Sequence, residues 1–503
     1  MARYGTFRYA EDTYGEDTTT ANLWALEIDW AGTGYDGSNE SERMIACSVT
    51  RGRGYVLNSG GNGFQRVQPG TMTITLDNYD QRYDPYNEDS PLYGYLLPGK
   101  SFRLRVKDGT AGSTKYIMTG YIDDIQPISG RAYVRITGVD ILETLNQALV
   151  SHGTIETGVR VDDTVENILD DAGLTSAEYA VDQMADIIPY WWMDKVTATY
   201  AIGELEDLVI GVFFVASDGT AKFYSRRRLE ETTVAILESD DVLREIVINQ
   251  PWELVRNQVE IPVNPRVQQA EAELFTITDV VEVGAGETVT IWASYQYENA
   301  QVPALSVSVT EPSSDFKVYD DTGGIGSDLT ASCTLTVTAF AESAKLEVEN
   351  GSASTGYITA LNVRGNPLTN PNPVTIRDED TTSIATYGTR KLNIDSKWSQ
   401  SVNDAIDRAS TLTNIFADVR RNPVVRIEGR SDIQFGLDLF DRVSLMVPYL
   451  SIDSAYRIGA IKHDWLSDNG QNVVTTLTLE ELVYYSATYW TFPANIGQTT
   501  YFA

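Results

Sequence analysis

The chain is poor in the residues that build metal sites and disulfide frameworks. It has 2 cysteines and 2 histidines among 503 residues. Cys47 and Cys333 stand far apart in strand-like segments, which predicts reduced, buried thiols rather than a disulfide. His152 and His463 have no cysteine or second histidine nearby, so both are expected to be ordinary polar residues. We predict no metal ligands, no bound cofactor and no catalytic residues.

Long apolar segments are also missing. The longest strongly apolar run, residues 208–216, has about half the length that a membrane helix needs. The first nine residues lack the apolar core of a signal peptide. These features predict no membrane span and synthesis in a cytoplasm without export by a signal peptide.

Basic residues are scarce relative to acidic ones. With 38 Lys and Arg against 71 Asp and Glu, the formal net charge is −33. A surface of this sign repels nucleic acids and anionic membranes, which excludes a DNA-gripping function. Solubility, a salty habitat and a surface over which DNA must slide all account for the charge. The length and the 42% of hydrophobic residues allow three to five domains with several cores.

What the chain does contain is a β pattern that occurs twice. Residues 98–106 and 439–447 are each a turn followed by a strand of alternating residues. A strand anchored by Gly120 or Gly459 follows, then a turn at Gly130 or Gly470 and a Val/Thr-rich strand. This repetition predicts the same β-barrel unit in both halves of the chain. Further hairpin turns are predicted at three dipeptides, Asp108-Gly109, Asp218-Gly219 and Asn469-Gly470.

Helices are expected to be few and mostly short. One is predicted over residues 164–172, capped by Asp162 or Asp163 and stopped by Gly173. A second is predicted over residues 203–210. The longest is predicted over residues 401–421, with an apolar face made of Val402, Ile406, Ala409, Leu412 and Phe416.

Residues 270–365 have a different composition from the rest. Short alternating runs rich in Val, Thr and Ser recur between glycine-rich turns, which predicts a β-sandwich. Residues 365–373 are predicted to be an extended linker that closes the sandwich. Because the barrel pattern resumes only after this linker, the sandwich is interpreted as an insertion whose two ends lie close together.

Four features could suggest chemistry. Residues 94–101 satisfy the phosphate-loop formula, but the alternation after Lys100 predicts a strand where such a loop needs a helix, so a β-turn is expected. The acidic, aromatic loop 77–89 offers oxygen ligands for calcium, yet a solvated turn or a contact loop is favoured, with Asp and Asn capping their own backbone. The aromatic residues 190–192 and Trp398 could stack on sugars, although burial in a core or a contact between subunits would also account for their presence. The many carboxylates leave a glycosidase pair open without singling out two of them.

The order of several motifs resembles that of bacteriophage minor tail proteins of the baseplate-hub type. The resemblance covers residues 45–485 apart from the sandwich. It rests on residues 70–78, 80–85, 90–94, 97–100, 116–124, 172–173, 212–215, 218–223, 387–390 and 437–443.

The resemblance implies a mainly β fold with some α, comprising two tail-tube-like β-barrels, an α+β middle region and an inserted β-sandwich. The expected divisions are an N-terminal arm (1–22), a first barrel domain (23–150), an α+β middle domain (151–268), the inserted sandwich (269–366), a second barrel domain with the long helix (367–485) and a C-terminal tail (486–503). The aromatic arm is expected to clamp the ring or a neighbour, and the apolar tail to dock on its own barrel or on a tip protein. Some relatives carry a lysozyme, peptidase or needle domain after the second barrel, and none is expected here.

The function that the resemblance implies is structural rather than enzymatic. The chain is expected to be a homotrimeric hub in the virion, assembled in the host cytoplasm, that adapts the sixfold tail tube to a threefold tip. Expected partners are distal tail or tail-tube proteins and a further tip or fibre protein. Viral DNA is expected to pass through an acidic or neutral lumen without specific binding. The alternatives are a carbohydrate-binding receptor-recognition protein of the tail tip and an enzyme.

Overall fold

The computed structural model describes residues 23–36, 38–57, 63–107, 113–128, 132–226, 233–238, 246–309, 314–370, 372–428, 430–465 and 473–481. The predicted arm, the predicted tail and the turns at Asp108-Gly109, Gly130 and Asn469-Gly470 lie outside these ranges. The fold is mainly β, as the sequence predicts.

The described part of the chain begins with a run of strands. Most alternate buried and exposed side chains, the pattern of a sheet with one face on a core. These first elements are β1 (Leu23–Ile28), β2 (Met44–Gly52), β3 (Gln68–Asp77), β4 (Ser101–Lys107), β5 (Thr114–Ile128), β6 (Tyr133–Val139) and α1 (Ile141–Gln147).

The next segment mixes helices and short strands. Its elements are β7 (Leu149–Arg160), α2 (Val161–Asp171), β8 (Tyr179–Val181), β9 (Ile187–Thr197), α3 (Ala198–Val209), β10 (Val212–Val215), β11 (Ala221–Tyr224), β12 (Ala235–Glu238) and β13 (Ile246–Asn249). The predicted hairpin at Asp218-Gly219 is present, because β10 and β11 pair antiparallel with Phe213 opposite Phe223.

Twelve further strands include those of the predicted sandwich. They are β14 (Gln258–Val263), β15 (Val267–Gln268), β16 (Ala272–Thr276), β17 (Val281–Val283), β18 (Thr288–Ser294), β19 (Gln296–Tyr297), β20 (Ala300–Gln301), β21 (Ala304–Ser308), β22 (Phe316–Tyr319), β23 (Cys333–Ala339), β24 (Ser343–Asn350) and β25 (Gly356–Thr369). The sheet β18-β24-β23 and the strands around β25 enclose a core of their own, which includes Tyr295, Leu346 and Ile358.

The final segment returns to longer strands. Its elements are β26 (Val374–Glu379), α4 (Thr381–Tyr387), β27 (Lys391–Asn393), α5 (Val402–Phe416), β28 (Asn422–Glu428), α6 (Ser431–Gln434), β29 (Arg442–Val447), β30 (Ile452–Trp465) and β31 (Val473–Glu481). Helix α5 packs on β14 and β26 and contributes to a smaller core with Val259 and Ile261.

The three predicted helices exist, but their details differ from the predictions. Helix α2 does end before Gly173, at φ +93°, yet its N-cap is Arg160, and Asp162 accepts hydrogen bonds from Arg160 and from the Met184 N–H instead. Helix α3 begins five residues earlier than predicted because Thr197 caps it by accepting a hydrogen bond from the Tyr200 N–H.

The long helix α5 is shorter than predicted, and its buried face is different. It ends at Phe416 because the chain must reach the extended conformation of β28 at Asn422. Of the predicted apolar face, Val402 and Ile406 are exposed, and Ala405 takes part in the buried stripe instead. Three short helices of the described residues, α1, α4 and α6, were not predicted.

The predicted linker at residues 365–373 is wrong for its first part. Residues 365–369 form the end of β25, where Ala272 is paired with Gly365 and Val267 with Thr369. These pairs bring the two ends of the sandwich segment side by side, as an insertion requires. No helix in the described part of the chain is long and apolar enough to cross a membrane.

Strands from the first and final segments, together with β12 and β13 of the middle segment, form one sheet, which has 12 strands in the described part of the chain. The first six strands lie in the order β1-β4-β5-β6-β3-β2, and we call them the N-terminal half-sheet. The other six lie in the order β12-β29-β30-β31-β28-β13, and we call them the C-terminal half-sheet. The pairing of β2 with β30 joins the two.

Each half-sheet packs on a different core. The N-terminal half-sheet encloses side chains such as Leu26, Ile74 and Phe102, almost all from its own strands and loops. The C-terminal half-sheet shares one large core with helices α1 to α3 and with β10 and β11. The middle segment of the chain is therefore built onto the C-terminal half-sheet.

Candidate functional site

The two half-sheets match in strand order and in several details, although β1 pairs antiparallel with β4 whereas β12 pairs parallel with β29. A β-bulge falls between Ile122 and Asp124 in β5, and a bulge falls at the same point of the order, between Ile458 and Ala460, in β30. Ahead of β4, the Gly99 N–H donates to the Ile122 carbonyl (2.7 Å) and the Ile122 N–H to the Lys100 carbonyl (2.8 Å). Ahead of β29 the same pair of bonds links Phe440, Ile458 and Asp441 (2.8 and 3.0 Å). Gly99 and Phe440 both have positive φ, so Gly99 corresponds to Phe440.

The junction between the half-sheets is a close backbone contact. Residues 48–52 of β2 pair antiparallel with residues 460–464 of β30, and the Arg53 N–H donates to the Gly459 carbonyl at 2.9 Å. Gly52 has φ +106°, and a Cβ at this position would lie 2.2 Å from the Gly459 carbonyl oxygen. Glycine is therefore required at position 52 for both conformation and space.

A buried charge cluster lies beside this contact. Glu480 accepts hydrogen bonds from Arg53 (3.1 Å) and Arg457 (2.6 Å), and its side chain is 3% exposed. Burial alone would raise the pKa of Glu480, but the two guanidinium groups outweigh it and hold the pKa at about 2. The cluster ties the N-terminal half-sheet, through Arg53, to two strands of the C-terminal half-sheet.

A second ion pair links the N-terminal half-sheet to the middle segment. Arg51 donates to Asp438 at 2.7 Å, and Asp438 also accepts a hydrogen bond from the Ser217 N–H at 3.0 Å. Burial opposes ionisation of Asp438, but Arg51 more than compensates and lowers its pKa. His463 lies nearby, 2.9 Å from the Thr475 hydroxyl, and burial lowers the pKa of its imidazole to about 3. The imidazole is thus neutral at pH 7 and serves the junction as a polar packing residue.

The connection from β28 to β29 fills the junction with apolar side chains. We call residues 430–441 the junction loop. Gln434 fixes it by donating to the carbonyls of Ile427 (3.0 Å) and Val473 (2.9 Å). The Phe435 ring packs edge-on against Trp24 of the N-terminal half-sheet, with centroids 5.2 Å apart. The loop's buried apolar residues are Ile433, Phe435, Leu437, Leu439 and Phe440.

The equivalent connection of the N-terminal half-sheet, from β3 to β4, faces outward instead. We call residues 78–100 the tyrosine loop. Tyr83 anchors it, with a fully buried ring and a hydroxyl that donates to Glu40 at 2.5 Å. Around this anchor Tyr86 is 90% exposed and Tyr79 84% exposed, and the other exposed apolar or aromatic residues are Tyr93, Tyr95 and Leu97. The loop thus presents aromatic rings on a fixed backbone.

The backbone of the tyrosine loop is held by its own side chains. The side-chain oxygens of Asn78, Asp84 and Asn87 each accept a hydrogen bond from a backbone N–H. The donors are Tyr83, Tyr86 and Asp89 respectively. This is the Asx capping predicted for residues 77–89. Residues 94–101 lead directly into strand β4. A phosphate loop needs the N-terminus of a helix after its lysine, and here a strand follows Lys100 instead.

The aromatic clusters singled out from the sequence do not form a binding surface. Trp191 and Trp192 pack against Trp398, and all three are at most 5% exposed. Tyr190 is half-buried, and its backbone exchanges hydrogen bonds with Gln400. These residues form core rather than a sugar site.

The two cysteines and the remaining histidine, His152, occupy three separate positions in the fold. Cys47 is buried, as predicted, and burial raises the pKa of its thiol, whereas Cys333 is only half-buried, at the start of β23. His152 lies 3.3 Å from Glu156 in β7. Among the described residues there is no group of three or more His, Cys, Asp or Glu side chains placed to hold a metal ion.

Sequence reasoning missed the residues that build the junction. Arg51, Gly52 and Arg53 contact residues that lie about 400 positions later in the chain. The sequence signal that could have found them is a glycine between two arginines in a strand. Two arginines on a buried strand need acidic partners, and these must come from elsewhere in the chain.

No protein-family model and no curated protein sequence matches the chain. Solved structures do. The tail protein from Neisseria meningitidis MC58 aligns with 10% identity and a TM-score of 0.50, over 92% of this chain and 96% of that one. The 43 kDa tail protein of prophage MuSo2 from Shewanella oneidensis aligns with 11% identity and a TM-score of 0.50, over 92% and 98%. At this identity the likeness concerns the fold, and the chain has the fold of these phage tail proteins.

Proposed function

We propose that the chain is a structural component of a bacteriophage tail, the homotrimeric hub at its distal end. The observation that carries the proposal is the pair of half-sheets with one strand order and one bulge position. Three copies of a chain with two equivalent units provide six similar units around an axis, while the rest of the chain repeats only three times. Such a ring adapts a sixfold tail tube to a threefold tip.

Two kinds of neighbour follow from this arrangement. The six similar units face distal tail or tail-tube proteins, and the threefold side faces a further tip or fibre protein. The protein belongs to the virion, at the tail tip, and its subunits assemble in the host cytoplasm. We propose the divisions given above for its domains, with residues 269–366 as an insertion and a structural rather than enzymatic role for the whole chain.

Viral DNA passes through the lumen of the ring without specific binding. The net charge of −33 supports this, because each phosphate neutralised by Lys or Arg would add affinity and slow a moving polymer. Replacing several lumen-facing carboxylates by lysine is expected to leave assembly intact and to delay genome release, with relief by added salt. Release kinetics indifferent to these substitutions would remove the electrostatic part of the proposal.

The oligomeric state tests the proposal itself. Light scattering on the purified chain is expected to give the mass of three copies, and tails purified from virions are expected to hold three copies each. A replacement of residues 270–366 by a short Gly/Ser linker is expected to remain trimeric, because the two ends of this segment already pair. A monomer at all concentrations, or a number of copies per tail that is not three, would contradict the hub.

A second candidate function is carbohydrate recognition by the sandwich. The observation that favours it is Trp292, which is 59% exposed on strand β18 and stacks on Phe340 with centroids 5.9 Å apart. Beside it, cross-strand pairing places Thr290, Glu347 and Thr336 in one row. An aromatic ring beside hydroxyl and carboxylate groups suits the apolar face and the hydroxyls of a sugar.

A glycan-binding screen of the full chain tests this second function. Binding that is lost in Trp292→Ala and kept in Ile325→Ala would support it, since Ile325 is also exposed on the sandwich. A trimer that binds no sugar would leave the hub alone.

A further inference from the structure

The junction within one chain shows which surfaces meet when a C-terminal half-sheet follows an N-terminal one. On the C-terminal side the junction loop supplies Asp438 and Phe440. On the N-terminal side the end of β2 supplies Arg51, which pairs with Asp438 at 2.7 Å, and Arg53, whose guanidinium lies 5.3 Å from the centre of the Phe440 ring.

Strand pairing identifies the equivalents of these residues in the other half-sheet. Gly99 corresponds to Phe440 by its hydrogen bonds, so Leu97 corresponds to Asp438. Counted through the ladders, Ser48 of β2 corresponds to Val247 of β13, because each lies opposite the matching residue of β3 or β28. One residue past the end of this ladder, Gln250 therefore corresponds to Arg51, and Trp252 follows at the start of the short 3-10 helix Trp252–Leu254.

The equivalent residues are exposed on both sides. Leu97 is 55% exposed on the tyrosine loop. Trp252 is 59% exposed, although Arg390 lies 3.9 Å from the centre of its ring, and Val247 is exposed as well. The junction thus has two counterpart surfaces on the outside of the same chain, and each lacks its partner within that chain in the described residues.

Both outer surfaces differ from the junction in the same way, because each lacks the charge that its counterpart carries there. Where the junction pairs an acid with an arginine, the outer surfaces carry Leu97 and the neutral Gln250. Where the junction has Phe440, the tyrosine loop has Gly99, and the exposed ring of Trp252 follows Gln250 in the second surface. An aspartate opposite Gln250, or an arginine opposite Leu97, would be left without its ion pair. Leu97 opposite Gln250 leaves no charge unpaired, and the exposed Leu97 and Trp252 supply apolar area for the contact.

We propose that the tyrosine loop of one copy docks on the β13 surface of the next copy, defined by Val247, Gln250 and Trp252. The occupant of each surface is a second copy of this chain, and the contact repeats the junction with apolar and aromatic side chains in place of ion pairs. Pro127 of β5 stands at the position of His463 of β30, and it has no N–H to donate, so side chains of the loop carry most of this contact. The inference rests on the proposed ring and names its subunit interface.

Cysteine crosslinking tests the contact directly in the full-length chain. In a Cys333→Ser background, Leu97→Cys and Gln250→Cys are placed on the same chain, because their equivalents Asp438 and Arg51 are in contact within the junction. Oxidation is expected to give covalent dimers and trimers on a non-reducing gel. The control pairs Leu97→Cys with Trp292→Cys, because Trp292 is exposed on strand β18, outside both surfaces. This control is expected to stay monomeric on the gel.

Substitution gives a second readout. Leu97→Asp and Trp252→Asp are each expected to weaken self-association at least about tenfold in sedimentation, the effect of losing one buried interface anchor. Trp292→Asp is expected to leave it unchanged. Thermal unfolding of the three variants checks that they fold.

The outcomes separate this inference from the proposed function. A chain that trimerises but neither crosslinks between positions 97 and 250 nor responds to either substitution has another interface, and the inference is then wrong while the hub stands. A wild-type chain that remains monomeric in solution and in tails overturns both. Crosslinking together with the selective loss of association supports both.

Discussion

The two half-sheets share one strand order but differ in what their equivalent loops do. The junction loop of the C-terminal half-sheet buries Phe435 and Phe440 against the N-terminal half-sheet, whereas the tyrosine loop of the N-terminal half-sheet exposes Tyr79 and Tyr86. The C-terminal half-sheet also shares its core with the middle segment, and the N-terminal half-sheet has a nearly separate core.

The two loops therefore differ because equivalent positions of the two half-sheets have different neighbours, although the strand order is the same. A duplicated unit inside one chain has one internal junction and two outer edges. The internal junction can use long-lived buried ion pairs because its partners are covalently linked and fold together. An outer edge must remain soluble before assembly, and exposed tyrosines on a rigid loop meet that need while offering contact area at low entropic cost.

The largest effect is expected from adding a side chain at Gly52, where β2 and β30 are in close contact. Gly52→Ala would place a Cβ 2.2 Å from the Gly459 carbonyl oxygen at φ +106°, which forces β2 and β30 apart. We expect a loss of about 4 kcal/mol or more in the free energy of unfolding, measured by chemical denaturation. Gly54→Ala is the control, since no heavy atom lies within 4 Å of its Cβ. Equal stability of the two variants would show that the junction does not constrain the sheet.

Removing the central carboxylate of the junction is expected to have the next largest effect. Glu480→Gln leaves the guanidinium groups of Arg53 and Arg457 buried without a countercharge and is expected to cost about 3 to 5 kcal/mol at pH 7. Glu347→Gln, which removes the half-buried partner of Lys345, is expected to cost under about 1 kcal/mol.

The same variant has a pH signature. The pKa of Glu480 is about 2 in the folded protein, below the ordinary 4.5, so its stabilisation is complete above about pH 5 and is lost as the pH falls towards 2. The difference between wild type and Glu480→Gln is therefore expected to shrink over this interval. A difference that stays constant from pH 6 to pH 3 would contradict the assigned charge cluster.

The two loops can be compared by truncating one aromatic side chain in each. Phe435→Ala removes a buried ring from the junction and is expected to cost about 3 kcal/mol in unfolding free energy. Tyr86→Ala removes an exposed ring from the tyrosine loop and is expected to change monomer stability by less than about 0.5 kcal/mol. Similar losses of unfolding free energy in the two variants would mean that the two loops contribute equally to the stability of the monomer, which contradicts the comparison.

The smallest effect concerns a position where the half-sheets carry opposite charges. Asp441 of the C-terminal half-sheet corresponds to Lys100, and burial raises the pKa of Asp441 to about 6. Because the folded pKa is above the unfolded value, ionisation of Asp441 costs stability as the pH rises through 4 to 6. Asp441→Asn is expected to gain about 1 kcal/mol relative to wild type between pH 4 and pH 8. Asp453→Asn, at an exposed aspartate of β30, is the control.

The sequence was sufficient for the repeated part of each half-sheet. The turn, the alternating strand and the strand after it are local patterns, and they correspond to β4 to β5 and to β29 to β30. The two anchoring glycines are not equivalent, because Ile122 corresponds to Ile458 and Gly120 therefore to Tyr456. The sandwich was also predictable, because its strands alternate between Val or Leu and Thr along short runs.

The rest depended on contacts between distant segments. Strands β12 and β13 have four residues each, and nothing local distinguishes them from other short apolar runs until β29 and β28 pair with them. Residues 365–369 contain Asn and Pro and look like a linker, but their pairing with β15, β16 and β21 keeps them in a strand. The aromatic residues 191–192 were ambiguous because burial is decided by Trp398, some 200 positions away.

Electron cryomicroscopy of the assembled tail tip tests the central claim most directly. The account predicts threefold symmetry for this protein, with N-terminal and C-terminal half-sheets alternating around the axis at intervals of about 60° and the tyrosine loop of each copy on the β13 surface of the next. A reconstruction in which the two half-sheets of a chain stack along the axis, or in which the half-sheets do not form one ring, would contradict it.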